Sequence, residues 1–310
     1  MTTVAPPAPA TPARPDSIYR SRDGHRSRKA RNTVATSLIS ASFVLALVPL
    51  VGVVVFIVQK GSGVFGWHFL TTDIPFSDRD FGGGMKPAVV GTLLITGAAT
   101  VMAVPLGVLG AIYLNEYGKQ GPLARLIRFL AEIMTGVPSI VMGLFIYLLW
   151  VLPRKQNGLS GFAGALALGC LMLPIVIRTS EEILRVVPEE LREGSYALGS
   201  RKVRTIRTVV LPHAAPGIVS GALLAVARAA GETAPLLFVI GIVTSTNTSI
   251  FKGANTALSQ QIFRGANSPF VAAQERAYGA ALTLVLLVFI FTALARIVTS
   301  LYARRSSAGG

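Results

Sequence analysis

Apolar residues gather into six long runs, at 33–59, 87–114, 129–152, 161–179, 215–243 and 277–301, separated by polar segments. Each suits the ~17–25 residues that a helix needs to cross a bilayer. The pattern therefore predicts an all-α integral membrane protein with six transmembrane helices. The first run is too long for the apolar part of a signal peptide and lacks a clear cleavage site, so it is expected to stay as an anchor. Residues 1–17 are rich in Pro, Ala and Thr without apolar periodicity. The stretch 1–32 is predicted to be a disordered basic tail. It is followed by the anchor helix at 33–59, an outer loop at 60–86, a membrane core at 87–303 and a short tail at 304–310.

Composition agrees with this reading. Apolar residues make up 52% of the chain and charged residues 14%, against about 25% charged in a soluble domain. A soluble enzyme, a disordered chain and a disulfide scaffold are excluded on that ground. The single cysteine, Cys170, and three scattered histidines, His25, His68 and His213, offer no metal-ligand spacing, so no metal is expected. The net charge of +15 lies in the tail and between the apolar runs, which marks a topology signal and not a nucleic-acid surface. With both termini inside, the inner segments hold eighteen lysines and arginines and the outer ones eight. That bias predicts an inner-membrane protein with both ends in the cytoplasm. The outer segments 60–86 and 244–276 are rich in Gly, Ser, Thr and Asn. Composition favours plain connections there over a surface for an extracytoplasmic partner. No G-x-x-x-x-G-K-[ST] run occurs, so the chain lacks this nucleotide loop.

One inner loop, 185–212, is unusually long and ordered in pattern. Pro188 suits the first turn of a helix. Glu189 and Glu190 follow where the helix dipole favours anions. Leu191, Ser195 and Leu198 recur at helical spacing, and Gly199 suits a left-handed cap before Arg201 and Lys202. A short surface helix with one free face is predicted. Its Glu193-Gly194-Ser195 run is followed by Ala197, Leu198, Gly199, Val209 and Leu211-Pro212. At every spacing this resembles the EAA loop of ABC importer permeases, with Gly194 and Ser195 for two alanines and Val209 for isoleucine. Gly194 weakens the helix by roughly 0.5–1 kcal/mol relative to alanine. The resemblance implies that Glu193, Gly194, Ser195, Ala197, Leu198, Gly199, Leu211 and Pro212 couple the chain to an ATPase subunit.

Other stretches are similar to the permeases of phosphate ABC importers. These are Gly136-Val137-Pro138-Ser139-Ile140-Val141-Met142-Gly143-Leu144, Arg228-Ala229-Ala230-Gly231-Glu232-Thr233-Ala234-Pro235-Leu236, and Gly82-Gly83-Gly84 with Pro87, Gly91, Thr92 and Leu93. The resemblance covers roughly residues 80–300. It implies a type I (MetI-like) permease fold working by alternating access. Its implied partners are a related PstC-like permease, two PstB-like ATPase subunits, a PstS-like binding protein and membrane lipid. ATP and Mg would sit on the ATPase subunits, with no cofactor on this chain and no covalent step catalysed by it.

The charged residues within the apolar runs are the candidate pathway. Arg228 and Glu232, at i and i+4 of the fifth span, share one helix face. A charge at helix centre costs about 2.5–3.5 kcal/mol on insertion scales, so such groups pair or face a cavity. Arg178, placed at the end of the fourth span, reads from the sequence as an interfacial charge. The family pattern implies a functional arginine at that position. The arginine fork matches phosphate oxygens. Glu232 has two readings: it accepts a proton that phosphate retains near neutral pH and sulfate lacks, or it tempers the positive field. Alternatives left open are a permease for another oxyanion, such as sulfate or molybdate, and a secondary transporter or channel without an ATPase.

Overall fold

The computed structural model describes residues 22–155 and 158–307. The expectations for residues 1–21 and 308–310 lie outside them. The chain divides into two compact units, one ending at Phe56 and the other starting at Ile57. Most of the first is the helix α1, Arg22–Gly61, which begins ahead of the expected Thr33. Its Leu38, Phe43 and Leu45 side chains are exposed, as befits a helix whose solvent is lipid.

The second unit is also helical. It contains α2 (Trp67–Thr71), α3 (Lys86–Gly118), α4 (Pro122–Gly136), α5 (Ser139–Arg154), α6 (Gly161–Val186), α7 (Glu189–Ala197), α8 (Lys202–Ala230), α9 (Leu236–Val239), α10 (Leu258–Ala266) and α11 (Val271–Ser307). Helices α1, α3, α6, α8 and α11 are long and apolar enough to cross a membrane. The sixth candidate span is the pair α4–α5, bent by 106°.

Three of the predicted spans differ from the observed helices in ways that matter for the site. The run 129–152 is not one straight helix. Val137 and Pro138 are extended, at ψ of 130° and 135°, because proline pushes the residue before it out of the helical region. The run 161–179 continues as helix to Val186. The run 215–243 is shifted. Helix α8 starts at Lys202 and stops at Ala230, where Gly231 ends it and Pro235 follows, as helix ends commonly do. Arg228 therefore sits in the last turn and Glu232 beyond it, not in mid-span.

Helix α6 is the hub. Ser160 Oγ caps its start by accepting from Ala163 N–H at 3.3 Å. Helices α3, α4, α5 and α8 pack around it. Its buried side is built from Ala163, Ala165, Ala167, Leu168 and Met172 against Ile95, Ala99, Ala103 and Val226. Small residues let helices approach closely where lipid supplies no hydrophobic drive. A Cβ on Gly107 of α3 would lie 2.7 Å from the Val176 side chain.

The segments 60–86 and 244–276 are folded together. Ile74 N–H donates to Thr244 O at 3.1 Å, Thr246 Oγ1 to Asp73 Oδ1 at 2.6 Å, and Arg264 pairs with Asp78 at 3.2 Å. Arg276 reaches the Asp78 and Asp80 carbonyls. Trp67, Phe76 and Phe81 stay exposed.

Candidate functional site

The loop 185–212 forms the short helix that its local pattern predicts. Pro188 precedes α7, and Glu189 and Glu190 open it. Gly199 takes φ of +76°, a conformation that costs little without a Cβ. Gly199 N–H donates to Tyr196 O at 2.8 Å and Ser200 N–H to Ser195 O at 3.2 Å. These paired bonds satisfy the last carbonyls of the helix. Glu193, Gly194, Ala197, Leu198 and Gly199 are exposed, with Leu198 at 88%. Ser195 faces inward, its hydroxyl 2.9 Å from that of Thr205. Leu211 is half-buried beside Leu184, Val187 and Val210, and Pro212 is exposed in the following helix.

The expected stripe of Leu191, Ser195 and Leu198 is not what this helix buries, since both leucines are exposed. The buried side chain is Arg192. Its Nε and Nη2 donate to Glu116 Oε1 at 3.3 and 3.0 Å, Nη2 also to Leu184 O at 3.0 Å, and Nη1 to Val187 O at 2.7 Å and Glu189 Oε2 at 3.1 Å. In the sequence Arg192 reads only as one of the charges between the apolar runs. Its partner is far off in the chain, so no local spacing signals the pair.

At the bend between α4 and α5 a second candidate site forms. Gly143 of α5 packs on the start of α9, where a Cβ would lie 2.6 Å from Pro235 O. The two quoted motifs are thereby held together. Between them is a hollow of about 230 Å³ lined by Met134, Thr135, Val137, Ser139, Leu171, Ile175, Arg228 and Glu232. Arg228 Nε is 3.8 Å from Glu232 Oε1, with the arginine side chain 71% exposed and the glutamate 22%. The Glu232 backbone carbonyl accepts from Ser259 Oγ of α10 at 2.9 Å. This long contact between an exposed arginine and a partly buried glutamate is a weak pair. It leaves the guanidinium available to an anion; Thr135 and Ser139 line the same hollow, with the Thr135 hydroxyl donating to Glu132 O at 2.7 Å. No spacing or motif in the chain singles out Thr135.

Arg178 is not in this hollow. It projects from α6 ahead of the helix end, 3.4 Å from Glu132 of α4. It lines an adjacent hollow of about 320 Å³ with Arg128, Glu132, Glu181, Glu182 and Arg185. Leu171, Ile175 and Arg178 recur at helical spacing on one face of α6, so the two hollows follow one another along the α4–α6 groove. Arg128 donates to Glu181 at 2.8 Å and to the Lys119 and Leu114 carbonyls at the end of α3. Among the described residues no group of three or more His, Cys, Asp or Glu could hold a metal.

Residues 103–307 match the family model described as "Binding-protein-dependent transport system inner membrane component". The chain is 43% identical over 293 residues to the phosphate transport system permease protein PstA of Mycobacterium leprae (strain TN), covering 93% of this chain and 92% of that protein. It is 44% identical over 283 residues to PstA 1 of Mycobacterium tuberculosis (strain ATCC 25618 / H37Rv), covering 90% of each. The PstA of Yersinia pestis is 39% identical over 275 residues, covering 87% of this chain and 90% of that protein. Two solved structures share the fold. One is a bacterial alginate ABC transporter in complex with an alginate pentasaccharide-bound periplasmic protein, with TM-score 0.63 and 14% identity over 87% of this chain and 94% of that one. The other is the inward-facing MetNI methionine ABC transporter, with TM-score 0.54 and 22% identity over 71% and 94%. By this family match and these identities, the chain belongs to the inner-membrane components of binding-protein-dependent transport systems, among the phosphate transport permeases of the PstA type.

Proposed function

We propose that the chain is the permease subunit of an ATP-driven importer of inorganic phosphate and that it lines the translocation pathway without catalysing a covalent step. The observation that carries this reading is the hollow that Thr135 and Ser139 line together with the loosely paired Arg228 and Glu232. A fork of guanidinium donors suits phosphate oxygens. A carboxylate can accept the proton that phosphate keeps near neutral pH. Arg178, on the same face of α6, meets the ion next.

The exposed face of α7 docks an ATPase subunit, and Arg185 to Arg207 therefore lie in the cytoplasm with both termini. On the opposite side, Trp67, Phe76 and Phe81 receive the extracytoplasmic binding protein. A PstC-like second permease, two PstB-like ATPase subunits and a PstS-like binding protein complete the assembly. Closure of the ATPase pair moves α7 and opens the pathway outward. ATP and Mg belong to the ATPase subunits.

The test is uptake in vesicles holding the complex that copurifies with this chain, with ATP inside and labelled phosphate delivered on the binding protein. Phosphate uptake that needs ATP, falls in Arg228→Gln and is not matched by sulfate or molybdate is the expected result. Uptake independent of ATP, or preference for another oxyanion, overturns the reading.

A further inference from the structure

We infer that the buried Arg192–Glu116 pair is the joint through which α7 moves the membrane helices, with both residues positioning the coupling helix. The inference rests on the docking of an ATPase on the free face of α7. A partner that pushes on an exposed helix does work on the rest of the molecule only through stiff connections. Chain continuity supplies two, and both are weak points: Val187–Pro188 is extended, and Gly199 is a left-handed turn.

Arg192 supplies a third connection that is not covalent. Its side chain is 7% exposed and that of Glu116 5%. The guanidinium takes the Leu184 and Val187 carbonyls at the end of α6 as well as the carboxylate at the end of α3. One planar group thus binds three elements. The last carbonyls of a helix lack partners within it, so the arginine completes α6 while tying α7 to α3.

The surroundings support a joint. Glu116 lies in a π-helical last turn of α3, Tyr113–Gly118, a wider winding that often marks functional sites. Lys202, the first residue of α8, donates to the Glu116 backbone carbonyl and stands 4.6 Å from the Tyr117 ring. The ends of α3, α6 and α8 therefore meet at one point beneath α7. Helix α6 carries Leu171, Ile175 and Arg178 along both hollows. Displacing Arg192 displaces the helix that lines the path.

The experiment measures ATP hydrolysis, phosphate uptake and complex yield together in vesicles. Glu116→Gln keeps one oxygen for the guanidinium, removes the charge and turns the other oxygen into an NH2 donor. The guanidinium keeps the Glu189 carboxylate and the Leu184 and Val187 carbonyls, so yield is expected to fall by no more than about twofold; per assembled complex, hydrolysis within about twofold of the native value and uptake reduced about tenfold are expected, so less phosphate enters per ATP. Arg192→Lys, which replaces the fork by a point charge with three donors, is expected to show the same split more strongly. A purely structural pair predicts that yield, hydrolysis and uptake fall in parallel. Such a parallel fall in Glu116→Gln, or an unchanged ratio of uptake to hydrolysis, overturns the joint. If Arg192→Lys does not assemble, Glu116→Gln decides. A third variant, Gly199→Asp, separates the two readings. Normal capture of the ATPase there refutes the docking on α7. Lost capture there with an unchanged ratio in Glu116→Gln refutes the joint alone.

Discussion

The molecule uses arginine–glutamate pairs in two opposite ways. Arg192 and Glu116 are buried at 3.0 Å, and every part of the guanidinium fork has an acceptor. Arg228 and Glu232 stand 3.8 Å apart with the arginine largely exposed. The first arrangement is costly to open, since a lone charge would remain buried. The second opens at little cost, since water or an anion replaces the partner. A saturated pair suits a part that transmits movement, and an unsaturated pair suits a part that must bind and release a charged cargo.

The largest expected effect comes from breaking the saturated pair outright. Arg192→Met strands Glu116 and two helix-end carbonyls, and should cost about 3–5 kcal/mol. Thermal melting and complex yield would show this as near-complete loss. Adding Glu116→Leu should restore part of the stability, because the stranded charge is gone while the Leu184 and Val187 carbonyls stay unpaired. Full recovery would show that the carbonyl contacts contribute nothing.

Arg228→Gln should leave yield and melting unchanged within about 0.5 kcal/mol, as expected at an exposed site. Phosphate uptake should fall about tenfold or more, from loss of a charge-assisted contact. Removing Glu232 as well, by Glu232→Gln, should not rescue uptake. Rescue by the double change would make the pair structural and erase the contrast with Arg192.

A smaller effect is expected where the second site is held in shape. Gly143→Val places carbon against the Pro235 carbonyl and should cost about 1–3 kcal/mol through overpacking, with uptake reduced more than assembly. Smallest is Gly194→Ala. A Cβ there meets nothing within 4 Å, so about 0.5–1 kcal/mol of stabilisation is expected. Lost ATPase capture in this variant would show that the exposed face of α7 tolerates no methyl.

Helix α7 is legible in the sequence nearly to the residue. Pro188, the acidic first turn and Gly199 act through local backbone chemistry, and local chemistry is written in adjacent residues. The bend within the run 129–152 is not legible in hydropathy, which runs unbroken through Gly136, Val137 and Pro138. The end of α8 is hidden for a related reason. Its apolar run continues past Gly231 and Pro235, although those residues end the helix. In both cases the lipid-compatible composition masked the breaking residues. Arg128 and Arg192, legible as inner charges, also close the ends of α3 and α6.

By itself, then, the sequence determined the class of fold, the apolar runs, the coupling pattern and the candidate residues Arg178, Arg228 and Glu232. The fold class, the apolar runs, the helix-and-cap pattern and the candidates Arg228 and Glu232 follow from bilayer thickness, from turn chemistry and from the cost of charge in an apolar run, all of which act over a few neighbouring residues. A coupling role for the loop and the candidacy of Arg178 follow only from the family resemblance. Only the tertiary structure decided that Arg228 shares a hollow with Thr135 and Ser139 while Arg178 lines the adjacent one. Only it paired Arg192 with Glu116. Those relations join residues far apart in the chain, and they exist because small residues such as Gly107 and Gly143 let helices and turns approach until the side chains meet.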